Sequence, residues 1–138
     1  MIAIDTHVLL RYLLQDDKRQ AAKAAKLISG PEPVLITDVV LVETLWTLKG
    51  KKYSLHKHDL LPVLDLLFRE PNLVFEDSQT VWRAFNHYRT AAEGSTVDFA
   101  DTLILEKSQY IAAGNEDPYE GLYTFDKALQ QFKQTRKP

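Results

Sequence analysis

Short apolar runs alternate with longer segments of helical periodicity along the chain. Residues 2–4 predict a buried strand with Asp5 at its carboxyl end. Val8, Leu9, Tyr12 and Leu13 then fall at helical spacing, predicting a short helix that ends near Gln15. Asp16 is the expected cap of the next helix, which carries Ala21, Ala24 and Ile28 and stops at Ser29-Gly30-Pro31. Residues 33–36 read as the second strand. Thr37 or Asp38 caps a helix with Val39, Val42, Leu45 and Trp46 that ends at Lys49-Gly50. Ser54 is the expected cap of a strongly apolar helix from Leu60 to Phe68, with Pro62 tolerated if it falls in the first turn. So much apolar surface implies either deep burial or self-association. Leu73, Val74 and Phe75 form the third strand, and a helix with Val81, Trp82, Phe85 and Tyr88 spans 78–92. After a loop at 93–96, another helix starts near Asp98 and reaches Ala113-Gly114. Residues 122–125 are the fourth strand, 127–132 a terminal helix, and 133–138 a basic, mobile tail.

Strands separated by helices imply right-handed crossovers and a mainly parallel sheet covered on both faces. The 138 residues suit one domain, expected over 1–132 and followed by the tail. Hydrophobic residues at 45% and charged residues at 26% give a globular composition. The absence of cysteine excludes disulfides, zinc–thiolate sites and thiol nucleophiles, and fits a reducing compartment. The N-terminus shows no basic leader, and the longest aliphatic run, 39–42, is far too short to span a bilayer. The expected location is the cytoplasm, with no membrane partner. A net charge of −2 and a pI near 6.1 exclude duplex-DNA binding by bulk charge. A nucleic-acid substrate would need a local basic patch or bound cations.

The acids supply the candidate chemistry. In a parallel sheet, Asp5 and Asp126 emerge at the same edge, where ligands bind in open α/β folds. Asp98 and Asp101, three apart at a helix start, share one face. Glu43 lies in a helix that begins at that edge, with apolar neighbours that suggest partial shielding. Five converging carboxylates resist full ionisation unless a cation offsets them. All-oxygen donors suit Mg²⁺ or Mn²⁺, and such an ion with activated water cleaves phosphodiesters by in-line attack. The competing reading makes these residues helix caps. Capping accounts for Asp5, Asp98 and Asp126 singly, for Asp101 only as a first-turn acid, and for mid-helix Glu43 poorly.

Four blocks carry a family resemblance: Ile4-Asp5-Thr6-His7-Val8-Leu9-Leu10-Arg11-Tyr12-Leu13, Leu41-Val42-Glu43-Thr44-Leu45-Trp46, Asp98-Phe99-Ala100-Asp101-Thr102-Leu103-Ile104, and Tyr123-Thr124-Phe125-Asp126-Lys127. In order and over essentially the whole chain they resemble the signature blocks of PIN-domain ribonucleases, above all VapC-type toxins of toxin–antitoxin pairs. The resemblance implies a three-layer α/β/α fold with a short, mainly parallel sheet of four or five strands. It also implies a metal-dependent RNA endonuclease. Asp5, Glu43 and Asp101 match the central acids, Asp126 the variable fourth and Asp98 an additional one. Thr6 and Thr124 match small hydroxyl residues beside the first and last acids. A homodimer and a cognate antitoxin, whose C-terminal segment fills the groove, are further implications. One departure stands out: His7 occupies the usual place of Asn, as a tolerated neighbour of the metal shell or as a direct ligand.

Arg11, Lys49, Lys51, Lys52, Lys133, Arg136 and Lys137 are either RNA-phosphate contacts or ordinary solvated charge. Trp46, Trp82, Phe85 and Tyr88 lie at core spacing and read as packing, and His56, His58 and His87 as surface histidines. Two other readings compete. A phosphoacceptor receiver also gathers acids and Mg²⁺ at a sheet edge, but expects neighbouring acids after its first strand, where Thr6-His7 stand. An inactive PIN scaffold that only binds RNA or protein sits poorly with a complete set of acids.

Overall fold

Carboxylates and one hydroxyl start most of the helices by taking over backbone N–H groups that have no partner within the helix. The structure is a computed structural model that describes residues 1–92 and 94–138; of the loop expected at 93–96, Glu93 lies outside the described residues. The chain forms two compact units, Met1–Glu76 and Asp77–Pro138. Both units mix short parallel strands with helices, so the chain is of the mixed α/β class.

In the first unit, β1 (Ile2–Ala3) leads through Asp5 into α1 (Thr6–Leu14), which ends at Gln15 in the left-handed conformation, φ 57°. The cap of α2 (Lys18–Ile28) is Asp17, whose Oδ1 accepts from Gln20 N at 3.0 Å. Asp16, the expected cap, instead pairs with Arg11 Nη1 at 2.9 Å. After β2 (Val34–Ile36), Thr37 caps α3 (Asp38–Lys49). Ser54 does not cap α4 (Lys57–Arg69): it sits at φ 51° with its hydroxyl on the Lys51 carbonyl. The start belongs to His56, whose backbone N–H donates to Asp59 Oδ2 at 2.9 Å. Pro62 is consequently past the first turn. It is tolerated because its side of the helix is exposed, so the bypassed His58 carbonyl can be hydrated. Leu60, Leu64 and Leu67 of α4 are buried, while Leu66 is half exposed, so burial claims most of that apolar helix.

The strands β1, β2 and β3 (Leu73–Phe75) form one parallel sheet in that order, with Ile2 opposite Val34 and Val34 opposite Leu73. Val34 and Ile36 share a fully buried face while Leu35, between them, is only partly covered. α3 is apolar nearly all round, so periodicity does not reveal its inner face. Leu41, Thr44, Leu45 and Leu48 point inward; Val39 and Trp46 are 73% and 57% exposed. Trp46 is therefore a surface residue, not the packing residue expected.

In the second unit, Asp77 caps α5 (Ser78–Thr90), which packs on α6 (Phe99–Ala113). Tyr88 meets Phe99 edge to face at 6.1 Å. Phe85 and Tyr88 are buried as expected, but Trp82 is 43% exposed. β4 (Leu122–Tyr123) and β5 (Thr135–Arg136) pair in parallel as a second, two-stranded sheet. Between them only a 3₁₀ turn, Leu129–Gln131, replaces the expected helix. The segment expected as a mobile tail thus supplies a strand, with Thr135 buried. Gly121 permits this pairing: at φ 123°, a Cβ there would stand 2.7 Å from the Gln134 carbonyl oxygen.

Asn72 ties the first unit together. Its Nδ2 donates to the carbonyls of Ile28, Gly30 and Glu32 at 2.8, 3.2 and 2.7 Å, and its own carbonyl accepts from Val34 N. Asn72→Ala should cost about 1–3 kcal/mol in urea unfolding. Asn72→Asp should cost more, because it turns a carboxylate toward three carbonyl oxygens.

Candidate active site

The first unit contributes Asp5 and Glu43. Asp5 follows β1, is exposed, and accepts from Val8 N through Oδ1 at 2.9 Å, which fixes the carboxylate at the start of α1. Parallel pairing puts the ends of β1, β2 and β3 on one edge, which therefore also receives Asp38 and Glu76. Glu76 Oε2 accepts from Asp38 N at 2.5 Å, at the first residue of α3. Glu43 lies five residues further into α3, about 8 Å along its axis. It is exposed, not shielded: its helix face is the one that turns Val39 and Trp46 to solvent.

The second unit contributes Asp98, Asp101 and Asp126. Asp98 and Asp101 hold each other at the start of α6, with Asp98 N donating to Asp101 Oδ2 at 3.0 Å and Asp101 N to Asp98 Oδ1 at 2.9 Å. This reciprocal box orients both carboxylates. Burial pushes the Asp101 carboxyl above its ordinary pKa of 3.8. The backbone hydrogen bond from Asp98 opposes that rise, whereas the Asp98 and Asp126 carboxylates add to it. Asp126 is exposed after β4; its Oδ1 accepts from Ala128 N at 2.8 Å and Leu129 N at 3.3 Å, and its N–H donates to Thr124 Oγ1 at 3.0 Å. The five acids are thus divided, two in the first unit and three in the second.

The capping reading of the aspartates has its structural counterpart. Asp5, Asp98 and Asp126 do cap, and Asp101 completes a capping box. Each of these bonds is made by one carboxylate oxygen, and a carboxylate has two. Among the described residues, no three His, Asp or Glu side chains stand as a ready set of metal ligands. The donor chemistry nonetheless fits a hard cation: the side chains are all-oxygen, and Asp101 lies in the like-charged field of Asp98 and Asp126 that such an ion relieves.

Other groups escaped the sequence reading. His87, expected on the surface, donates from Nε2 to Glu106 Oε1 at 2.7 Å and meets Phe132 edge-on at 5.1 Å. The signal was Glu106 itself, which falls on the buried stripe of Phe99, Thr102 and Leu103 and needs a partner there. Glu76 was missed because it ends the third strand without a motif around it. His7 is exposed and lines a cleft with Asp5. No helix of the described residues is long and apolar enough to cross a membrane.

Acids that follow parallel strands in a mixed α/β chain fit both a nuclease fold and a phosphoacceptor receiver. The family model for the PIN domain matches residues 2–134, and the chain belongs to that family. A search of curated proteins gave no match. PIN domains are generally nucleases and typically use divalent metals, which favours the nuclease reading over a phosphoacceptor receiver.

The raised pKa of Asp101 links stability to pH. Between 3.8 and the raised value the folded chain binds more protons than the unfolded one, so stability falls as pH rises through that window. Asp101→Asn removes this loss. In excess chelator its melting temperature should exceed the parent's at neutral pH. The gap should close toward pH 3.8, as thermal scans across pH would show.

Proposed function

We propose that this chain is a Mg²⁺- or Mn²⁺-dependent RNA endonuclease and the toxin of a VapC-type toxin–antitoxin pair, folded as one PIN domain. The observation that carries the reading is the family match over residues 2–134, within which all the expected acids occur. Asp5, Glu43, Asp101 and Asp126 would hold the cation, with Asp98 assisting. When bound, the ion supplies Lewis-acid charge that neutralises the phosphate and lowers the pKa of the attacking water.

The remaining work falls to the chain. Val8 N holds Asp5, Thr124 holds the Asp126 segment, and the Asp98–Asp101 box prevents either carboxylate from rotating away. The raised pKa of Asp101 means that protons compete for this carboxylate, so cation binding strengthens as pH rises. His7, in the usual place of Asn, supports the shell by hydrogen bonding. Val39 and Trp46, open to solvent on α3, support a homodimer, because large apolar groups on a surface favour contact with another chain. A cognate antitoxin would cover the acids with its C-terminal segment. A reducing cytoplasm suits a chain without cysteine.

Asp5→Asn should lower cleavage of single-stranded RNA by more than about 100-fold, beyond the cost of losing a supporting partner of a ligand. Its circular dichroism should match the parent's. Cleavage undiminished in excess chelator overturns the metal mechanism. An absence of both cleavage and Mn²⁺ binding by calorimetry returns the chain to an inactive scaffold.

A further inference from the structure

A cleft of about 480 Å³ opens between α1 and α2, and Asp5 and His7 line it. Its size is that of a small-ligand pocket. Its polar wall is built from both helices. Arg11 Nε donates to Gln20 Oε1 at 2.7 Å, and Nη1 donates to Asp16 Oδ1 and Oδ2 at 2.9 and 3.1 Å. These bonds fix the plane of the guanidinium, whose Nη2 has no partner among the described residues. Asp16 offsets the charge of Arg11. The ammonium of Lys23, which also lines the cleft, has neither ion pair nor hydrogen bond among the described residues. Val8, Ala24 and the 44%-exposed Leu27 add an apolar surface.

We propose that this cleft seats the nucleotide next to the scissile phosphate of single-stranded RNA; the assignment rests on the nuclease reading above. Lys23 and Arg11 Nη2 take the phosphate as a point charge and one arm of a fork. The base lies on Val8, Ala24 and Leu27, as unstacked bases do on apolar side chains. Gln20 spends its oxygen on Arg11, which leaves its amide N–H groups for the base edge. A duplex does not fit this use, because its bases stay stacked and paired. Asp5, which lines the cleft, puts the nucleotide beside the first acid of the candidate site.

The test separates binding from cleavage. The carrier is Asp101→Asn, silenced for cleavage, in excess chelator with a labelled single-stranded oligoribonucleotide. Lys23→Glu on that background should weaken binding about 10-fold, and Lys23→Gln should reduce the salt slope by about 1. Lys23 is exposed and unpaired, so neither change threatens the fold. Lys18→Glu, at a position on the opposite side of α2 by helical spacing, should bind as the carrier does. In the cleaving protein with Mn²⁺, Lys23→Gln should raise KM and leave kcat within about twofold. Unchanged oligonucleotide binding in Lys23→Glu, while the parent cleaves RNA, overturns the cleft and spares the nuclease. Weakened binding in Lys23→Glu with a parent that cleaves nothing supports the cleft and overturns the nuclease. If a poly-glutamate peptide binds through Lys23 and the oligonucleotide does not, the cleft is a protein-docking site and the proposal fails.

Discussion

A carboxylate carries two oxygens, and this fold spends one on the backbone. Asp5, Asp98 and Asp126 each accept an N–H at the start of a helix or turn, and Asp101 closes the box with Asp98. Such a bond does more than stabilise a helix end. It removes the rotation by which an exposed aspartate would average its charge over a wide volume. Capping therefore leaves the second oxygen of each group open to another use, which is why the sequence alone left the two readings as rivals.

The electrostatic cost is concentrated at one residue. Asp101 is partly buried, fixed by its neighbour, and exposed to the charge of two other acids. Ionising it without compensation is unfavourable, because burial and the two neighbouring carboxylates both disfavour the charge. The first unit is less crowded: Asp5 stands exposed beside a cleft whose cations belong to α1 and α2.

The strands β1 to β4 and the bodies of α1 to α6 were legible because apolar runs and helical spacing leave few alternatives, whereas β5 and the 3₁₀ turn in place of the terminal helix were not. β3 and α6 fall where their residues put them. Ends were harder. Asp16 and Asp17 are equally good caps on paper, and the choice turned on Arg11, which claims Asp16. Ser54 lost to His56 because a left-handed turn after α3 uses its hydroxyl first. The outward face of α3 was illegible: with apolar residues on all sides, Trp46 and Leu45 look alike until packing separates them. The capping positions of the candidate aspartates were readable from the sequence, but the exposure of Glu43 and the His87–Glu106 pair depend on contacts distant in sequence.

The pairing of β5 with β4 makes the last few residues part of the frame around Asp126. The strand before that acid is stitched to the strand after it, with Leu122 N bonded to Gln134 O and Thr124 N to Arg136 O. The acid therefore sits in a closed loop whose clasp is the C-terminal segment. Anything fused close behind Pro138, or a cut just before Thr135, acts on the clasp and so on the stiffness of the loop, without touching an acid.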